Sequence, residues 1–152
     1  MTASSPGPQA PRAPMPKWFW PVGWTGLAWN AYGVQQFAGD VTATSDSMVA
    51  MGMTPDQAAL YSDVPMWMTL AFATGVFGGL AGCALLLLRR KLATQVFLIS
   101  LVGYLVLYVG DITEGIFAAL GTGQVVILTA VVLIASALLW LSRHLETTRR
   151  LA

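Results

Sequence analysis

Long apolar runs alternate with short polar stretches along this chain. Four of the runs are near the roughly 20 residues that a helix needs to cross a hydrocarbon core about 30 Å thick, at a rise of about 1.5 Å per residue. The first extends from about Trp18 to Ala38, the second from about Pro65 to Leu88, the third from about Leu92 to Ala119 and the fourth from about Gln124 to Leu141. The third reads through Asp111 to Glu114 because that stretch holds no strong helix breaker, and Gly121-Thr122-Gly123 predicts the turn into the fourth. The expected fold is all-α: an integral membrane four-helix bundle over residues 17–142, between an N-terminal tail (1–16) and a basic C-terminal tail (143–152).

The polar stretches add detail. Residues 1–16 hold five prolines among small and polar residues, a composition that buries nothing and favours an extended, disordered tail. The spacings Pro8 to Pro11 and Pro11 to Pro14 match P-x-x-P ligands, as any proline-rich tail easily does. In the stretch from Gly39 to Val64, Thr54-Pro55-Asp56-Gln57 has the form of a helix start. Thr54 takes the N-cap, Pro55 the first helical position, and Gln57 reaches back to complete a capping box. A short interfacial helix through Tyr61 follows, after which Asp63 is placed to cap the second long helix, with Pro65 in its first turn.

Charge sets the orientation. All eight basic residues fall at one end of the expected bundle: Arg12 and Lys17 before the first helix, Arg89, Arg90 and Lys91 between the second and third, and Arg143, Arg149 and Arg150 after the fourth. Six of the seven acids (Asp40, Asp46, Asp56, Asp63, Asp111 and Glu114) lie on or near the other side. The positive-inside rule then places both termini in the cytoplasm. Trp18, Trp20 and Trp140 near one boundary and Trp67 near the other fit an aromatic belt. A cleaved signal peptide would also put basic residues ahead of the first run. That run, however, is longer than a signal h-region and carries four tryptophans with Asn30, Gln35 and Gln36, so a retained helix is expected.

Composition narrows the function classes. The chain is 56% hydrophobic and 10% charged, too little charge to solvate a soluble surface, and it leaves no room for a separate catalytic domain. A net charge of +1 gives no basic face for nucleic acid. The one cysteine, Cys83, lies in an apolar run and forms no Cys-x-x-Cys spacing, and the one histidine, His144, lies among basic residues beyond the fourth run. No Gly-x-Ser-x-Gly, His-Glu-x-x-His or Walker loop occurs, and a bis-histidine haem lacks its ligands. Neither an enzyme nor a cofactor is expected.

Four groups of residues remain as candidates. Ala71, Gly75, Gly79 and Cys83 at spacing four, with Gly78 and Gly82 on an adjoining line, form a packing seam of the kind that lets helix backbones approach in lipid; the partner is either a helix of the same chain or another copy. Tyr104, Tyr108, Asp111 and Gly115 line one face of the third helix, with Glu114 beside Asp111. The carboxylates sit close to the outer edge of the hydrocarbon, either solvated or bonded to a tyrosine hydroxyl, or forming an outer-facing cation or substrate site. Asn30 lies nearer the bilayer middle, with Gln35 and Gln36 further out. Amides there act as structural glue or face a cavity. Met48, Met51 and Met53 offer thioethers suited to Cu(I), against the plainer role of packing an irregular loop.

Three stretches carry a family resemblance. They are Leu27-Ala28-Trp29-Asn30-Ala31-Tyr32-Gly33-Val34; Thr54-Pro55-Asp56-Gln57 with Tyr61 and Pro65-Met66-Trp67; and Gly75-Val76-Phe77-Gly78-Gly79 leading to Leu85-Leu86-Leu87-Leu88-Arg89-Arg90. In this order, over residues 18–142, the chain resembles a group of small four-helix bacterial membrane proteins whose relatives often carry the label "sugar transporter". The resemblance implies a bacterial inner-membrane location and a four-helix fold, and brings no established catalytic or binding residues with it. The methionine cluster is not part of that pattern. Taken together, the expectation is a small multi-pass membrane protein that acts through helix contacts with itself or a partner. The alternative is a small-solute transporter assembled as a homo-oligomer around Asn30, Gln35, Asp111 and Glu114, and an outer Cu(I) site is a remote third reading.

Overall fold

The structure, a computed structural model, describes residues 14–148, 150 and 151. The P-x-x-P spacings and nearly all of the expected N-terminal tail therefore lie outside the described residues. Seven helices and no strand are found among the described residues: α1 (Phe19–Thr42), α2 (Ser45–Ala50), α3 (Pro55–Ser62), α4 (Met66–Leu87), α5 (Leu92–Thr113), α6 (Ile116–Leu120) and α7 (Thr122–Thr147). The four long ones run 24, 22, 22 and 26 residues, about 33–39 Å each at about 1.5 Å per residue.

α4, α5 and α7 are each long and apolar enough to cross a membrane, yet in the most apolar window of each only 39%, 28% and 33% of residues are buried inside the chain. So much exposed Leu, Ile and Val would be untenable in water and is what a lipid-solvated surface requires. The fold is an all-α membrane bundle. α1 is less apolar, because tryptophans, glycines and three amides interrupt its aliphatic residues.

The helices pack in the order α1 on α4, α4 on α5 and α5 on α7. Glycines set how closely they approach. A Cβ added to Gly75 would stand 2.6 Å from the Tyr104 ring, one on Gly82 would stand 2.7 Å from the Phe97 ring, and one on Gly78 would stand 3.2 Å from Ser100 Cα. From the α5 side, a Cβ on Gly103 would stand 2.9 Å from both Ala71 O and Gly75 N. Gly79 faces the Asn30 amide of α1. The seam is thus filled by helices of the same chain, and the close approach lets Ser100 Oγ donate to Gly75 O at 2.6 Å. In lipid, such packing and interhelical bonding replace hydrophobic burial as the source of association.

One end of the bundle collects the basic residues among those described. Phe19 at the start of α1 is fully buried with Leu86, Ala93, Leu145 and Leu151. α4 ends in a Schellman turn, with Arg90 N donating to Leu85 O at 2.9 Å and Arg89 left-handed at φ 56°. The Arg89 guanidinium lies 5.8 Å from the Trp20 ring centroid, so the loop between α4 and α5 is tied to the start of α1.

The opposite end is closed by α2, α3 and α6. Thr54 caps α3 as expected, with both bonds of the capping box present. α2 was not foreseen; Thr44 and Ser47 form a second capping box that starts it. The third long helix does not continue to Ala119. It stops at Thr113, because Gly115 takes a left-handed φ of 75° and α6 restarts beyond it. Only Gly121, at φ 74°, forms the next turn; Thr122 and Gly123 already belong to α7, which runs on to Thr147 rather than ending near Leu141. Asp63 ends α3 instead of capping α4, whose N-cap is Pro65 and has no side-chain cap.

Candidate functional site

Two polar groups lie inside the bundle and a third lies on its outside. The first is built where α1 crosses the glycine seam. Asn30 is only 5% exposed, and its Nδ2 donates to Gly26 O at 2.8 Å and to Cys83 Sγ at 3.5 Å. Asn30, Gly79, Phe97, Ser100 and Tyr104 line a cavity of about 10 Å³, closed on the α7 side by aliphatic residues. That volume is at the threshold for a single water. Tyr104 is 5% exposed, and its hydroxyl has no partner among the described residues.

The second group lies at the end opposite the basic residues. Asp111 is 3% exposed and accepts from Gln124 Nε2 at 3.0 Å. Its partner is therefore an amide of α7, not a tyrosine of its own helix face. Tyr108 shares a hydrogen bond with Thr129 at 3.3 Å and packs its ring on Phe117. Glu114, next to the break in α5, points outward and is exposed. The expected face of Tyr104, Tyr108, Asp111 and Gly115 ends at Asp111, since Gly115 lies beyond the helix.

A bond that sequence reasoning missed joins this end together. Tyr61 of α3 donates to Asp40 Oδ2 of α1 at 3.1 Å. Burial raises the Tyr61 pKa above the usual tyrosine value, and the Asp40 carboxylate and then the Asp111 charge push it the same way. Nothing in the spacing signals this pair, because its members belong to separate helices 21 positions apart. Gln57 adds a second tie: its Oε1 accepts from Thr54 N at 2.9 Å while its Nε2 donates to Ala119 O at 2.7 Å, fastening α3 to α6.

The third group is on the outside. Gln35 and Gln36 are both exposed on α1 and make no hydrogen bond among the described residues. The four residues singled out as a polar path are thus separated: Asn30 is inside the seam, Asp111 is bonded to Gln124 at the end opposite the basic residues, and Gln35 and Glu114 are on the surface. The structure does not bring them to one passage within the chain.

The three methionines sit in different settings, although Met53 N donates to Met48 O at 3.1 Å. Met48 is 3% exposed, with Ser62 Oγ 4.0 Å from its sulfur, whereas Met51 is 74% exposed. Met53 is half-buried. Among the described residues no group of three or more His, Cys, Asp or Glu could hold a metal ion.

No family model matches the chain, and neither the curated proteins nor the solved structures searched contain a match.

Proposed function

We propose that this chain is a four-span protein of the bacterial inner membrane, both termini cytoplasmic, which acts without catalysis through helix contacts with itself or a partner. The observation that carries this reading is the outward position of Gln35 and Gln36. Amides left on the lipid-facing side of a helix must find partners, and partners in lipid are other helices. The register of α1 supports counting it as the fourth span. Gly23 lies against Leu87, Gly26 against Cys83 and Gly33 against Val76, and Phe37 stacks edge-on to Phe72. α1 therefore runs antiparallel alongside an apolar span from one end almost to the other, and a bilayer around α4 would take in α1 as well. The gathering of Lys17, Arg89, Arg90, Lys91 and Arg143 at one end supports the orientation. The resemblance to small four-helix bacterial proteins supports the choice of membrane.

A second reading keeps solute transport, sugar included, with the route between copies. It is favoured by the same outward placement of Gln35 and Glu114, which a neighbouring copy would enclose. Purification in mild detergent with native mass measurement, followed by solute uptake in liposomes, separates the two. A defined assembly without uptake is the expected result. Uptake by a homo-oligomer would establish transport, and a monomer without partners would contradict both readings.

A further inference from the structure

The register between α1 and α4 fixes the depth of Gln35 and Gln36. The midpoint of α4, Met66–Leu87, falls at Val76 and Phe77, and Gly33 lies against Val76. Gln35 and Gln36 follow Gly33 by two and three residues, so they stand about 3 Å and about 4.5 Å along the helix from the middle of the span. This is deeper than their place in the apolar run suggests. Gln35 shares the side of α1 opposite the α4 contact with Trp24, Ala28 and Tyr32, and Gln36 is on its flank beside Trp29.

We propose that this face of α1 is a self-association surface whose occupant is the same face of a second copy of the chain. The proposal rests on the reading that the protein acts through helix contacts, and it names the partner. Depth and chemistry choose that partner. Copies inserted with one orientation are related by a two-fold axis along the membrane normal, so each residue meets its equivalent at its own depth. A glutamine amide carries both donors and acceptors and is complementary to another glutamine. The exposed faces of this chain's other spans offer no such mate at that level: Leu98, Ile99, Val102 and Leu133 are aliphatic, and the hydroxyl of Thr74 is bonded to Leu70 O of its own helix. Ala28 at the centre of the face lets two α1 helices come close, with Trp24 and Tyr32 packing around it.

The test uses the full chain in native membranes, with Cys83 left in place because it is fully buried. Gln35→Cys and Gln36→Cys, oxidised in the membrane, are expected to give a disulfide-linked species of twice the chain mass, while Leu133→Cys on the lipid-facing side of α7 and the unaltered chain stay monomeric. Gln35→Leu with Gln36→Leu, checked for unchanged helicity, is expected to weaken self-association about tenfold, on the order expected for a few interhelical hydrogen bonds. A cross-link from these positions to a different protein would overturn the second-copy inference and leave the helix-contact reading standing. Absence of any cross-link, together with a monomeric native mass, would overturn both.

Discussion

Gly33 of α1 meets Val76 of α4 without crowding: a Cβ at Gly33 would stand 3.4 Å from Val76 Cγ1, an ordinary van der Waals distance. The contrast with the α4–α5 seam makes a graded prediction. Gly33→Ala should leave stability nearly unchanged. Gly75→Ala, which drives a methyl into the Tyr104 ring, and Gly103→Ala, which drives one into the backbone of Ala71 and Gly75, should each cost about 1–3 kcal/mol through overpacking. Unfolding in mixed detergent micelles measures the order. Equal effects at all three positions would show that the glycines are not read by the helices assigned to them.

Gln57 should act on two elements at once. Thr54→Ala removes only the N-cap and is expected to cost about 1 kcal/mol, with faster amide exchange confined to α3. Gln57→Ala removes the reciprocal bond and the tie to Ala119 O, so exchange should rise in α3 and α6 together. Hydrogen exchange resolved by segment checks this, and an unchanged α6 would contradict the bridging role.

The Tyr61 to Asp40 bond predicts a response to alkaline pH. The ordinary tyrosine value is 10.0 and the folded value is raised, so between the two the folded chain holds a proton that the unfolded chain has lost. Stability from this group is therefore complete below about pH 10 and falls as pH rises from there through the folded value. Tyr61→Phe should flatten this alkaline loss. Asp40→Asn, which keeps an oxygen able to accept from the hydroxyl while removing the adjacent charge, should lower the Tyr61 pKa. Ultraviolet titration of tyrosine ionisation alongside thermal unfolding follows both, and an alkaline loss of stability left unchanged by Tyr61→Phe would contradict the buried pair.

Much of this fold was legible because lipid imposes simple rules. The apolar runs located the long helices though not all of their ends, the Thr54-Pro55-Asp56-Gln57 motif located the start of α3, and Ala71, Gly75, Gly79 and Cys83 at spacing four marked a seam. What the seam touches was not legible, since small residues four apart permit close packing without naming a partner. Gly115 was passed over because a single glycine within an apolar run tells little of its φ until the chain is folded. The polar residues were the least readable. The spacing leaves Asp111 solvated, bonded to a tyrosine hydroxyl or part of an outer-facing site, and the structure pairs it with Gln124; Gln35, read as further out than Asn30, lies two residues beyond the level of Val76 in α4. Both outcomes depend on helix register, which residue spacing within one helix does not contain.

Most depends on α1 being a retained span alongside α4, since Gln35 and Gln36, the contacts of Gly23, Gly26 and Gly33 with α4, and the proposed dimer face all lie on it. Tags fused to the N- and C-termini and probed by protease from the outside of spheroplasts test this directly. The account predicts that both tags remain on a full-length chain and are protected until the membrane is opened. Loss of the N-terminal tag from the mature chain, or its cleavage from outside while the C-terminal tag stays protected, would contradict it.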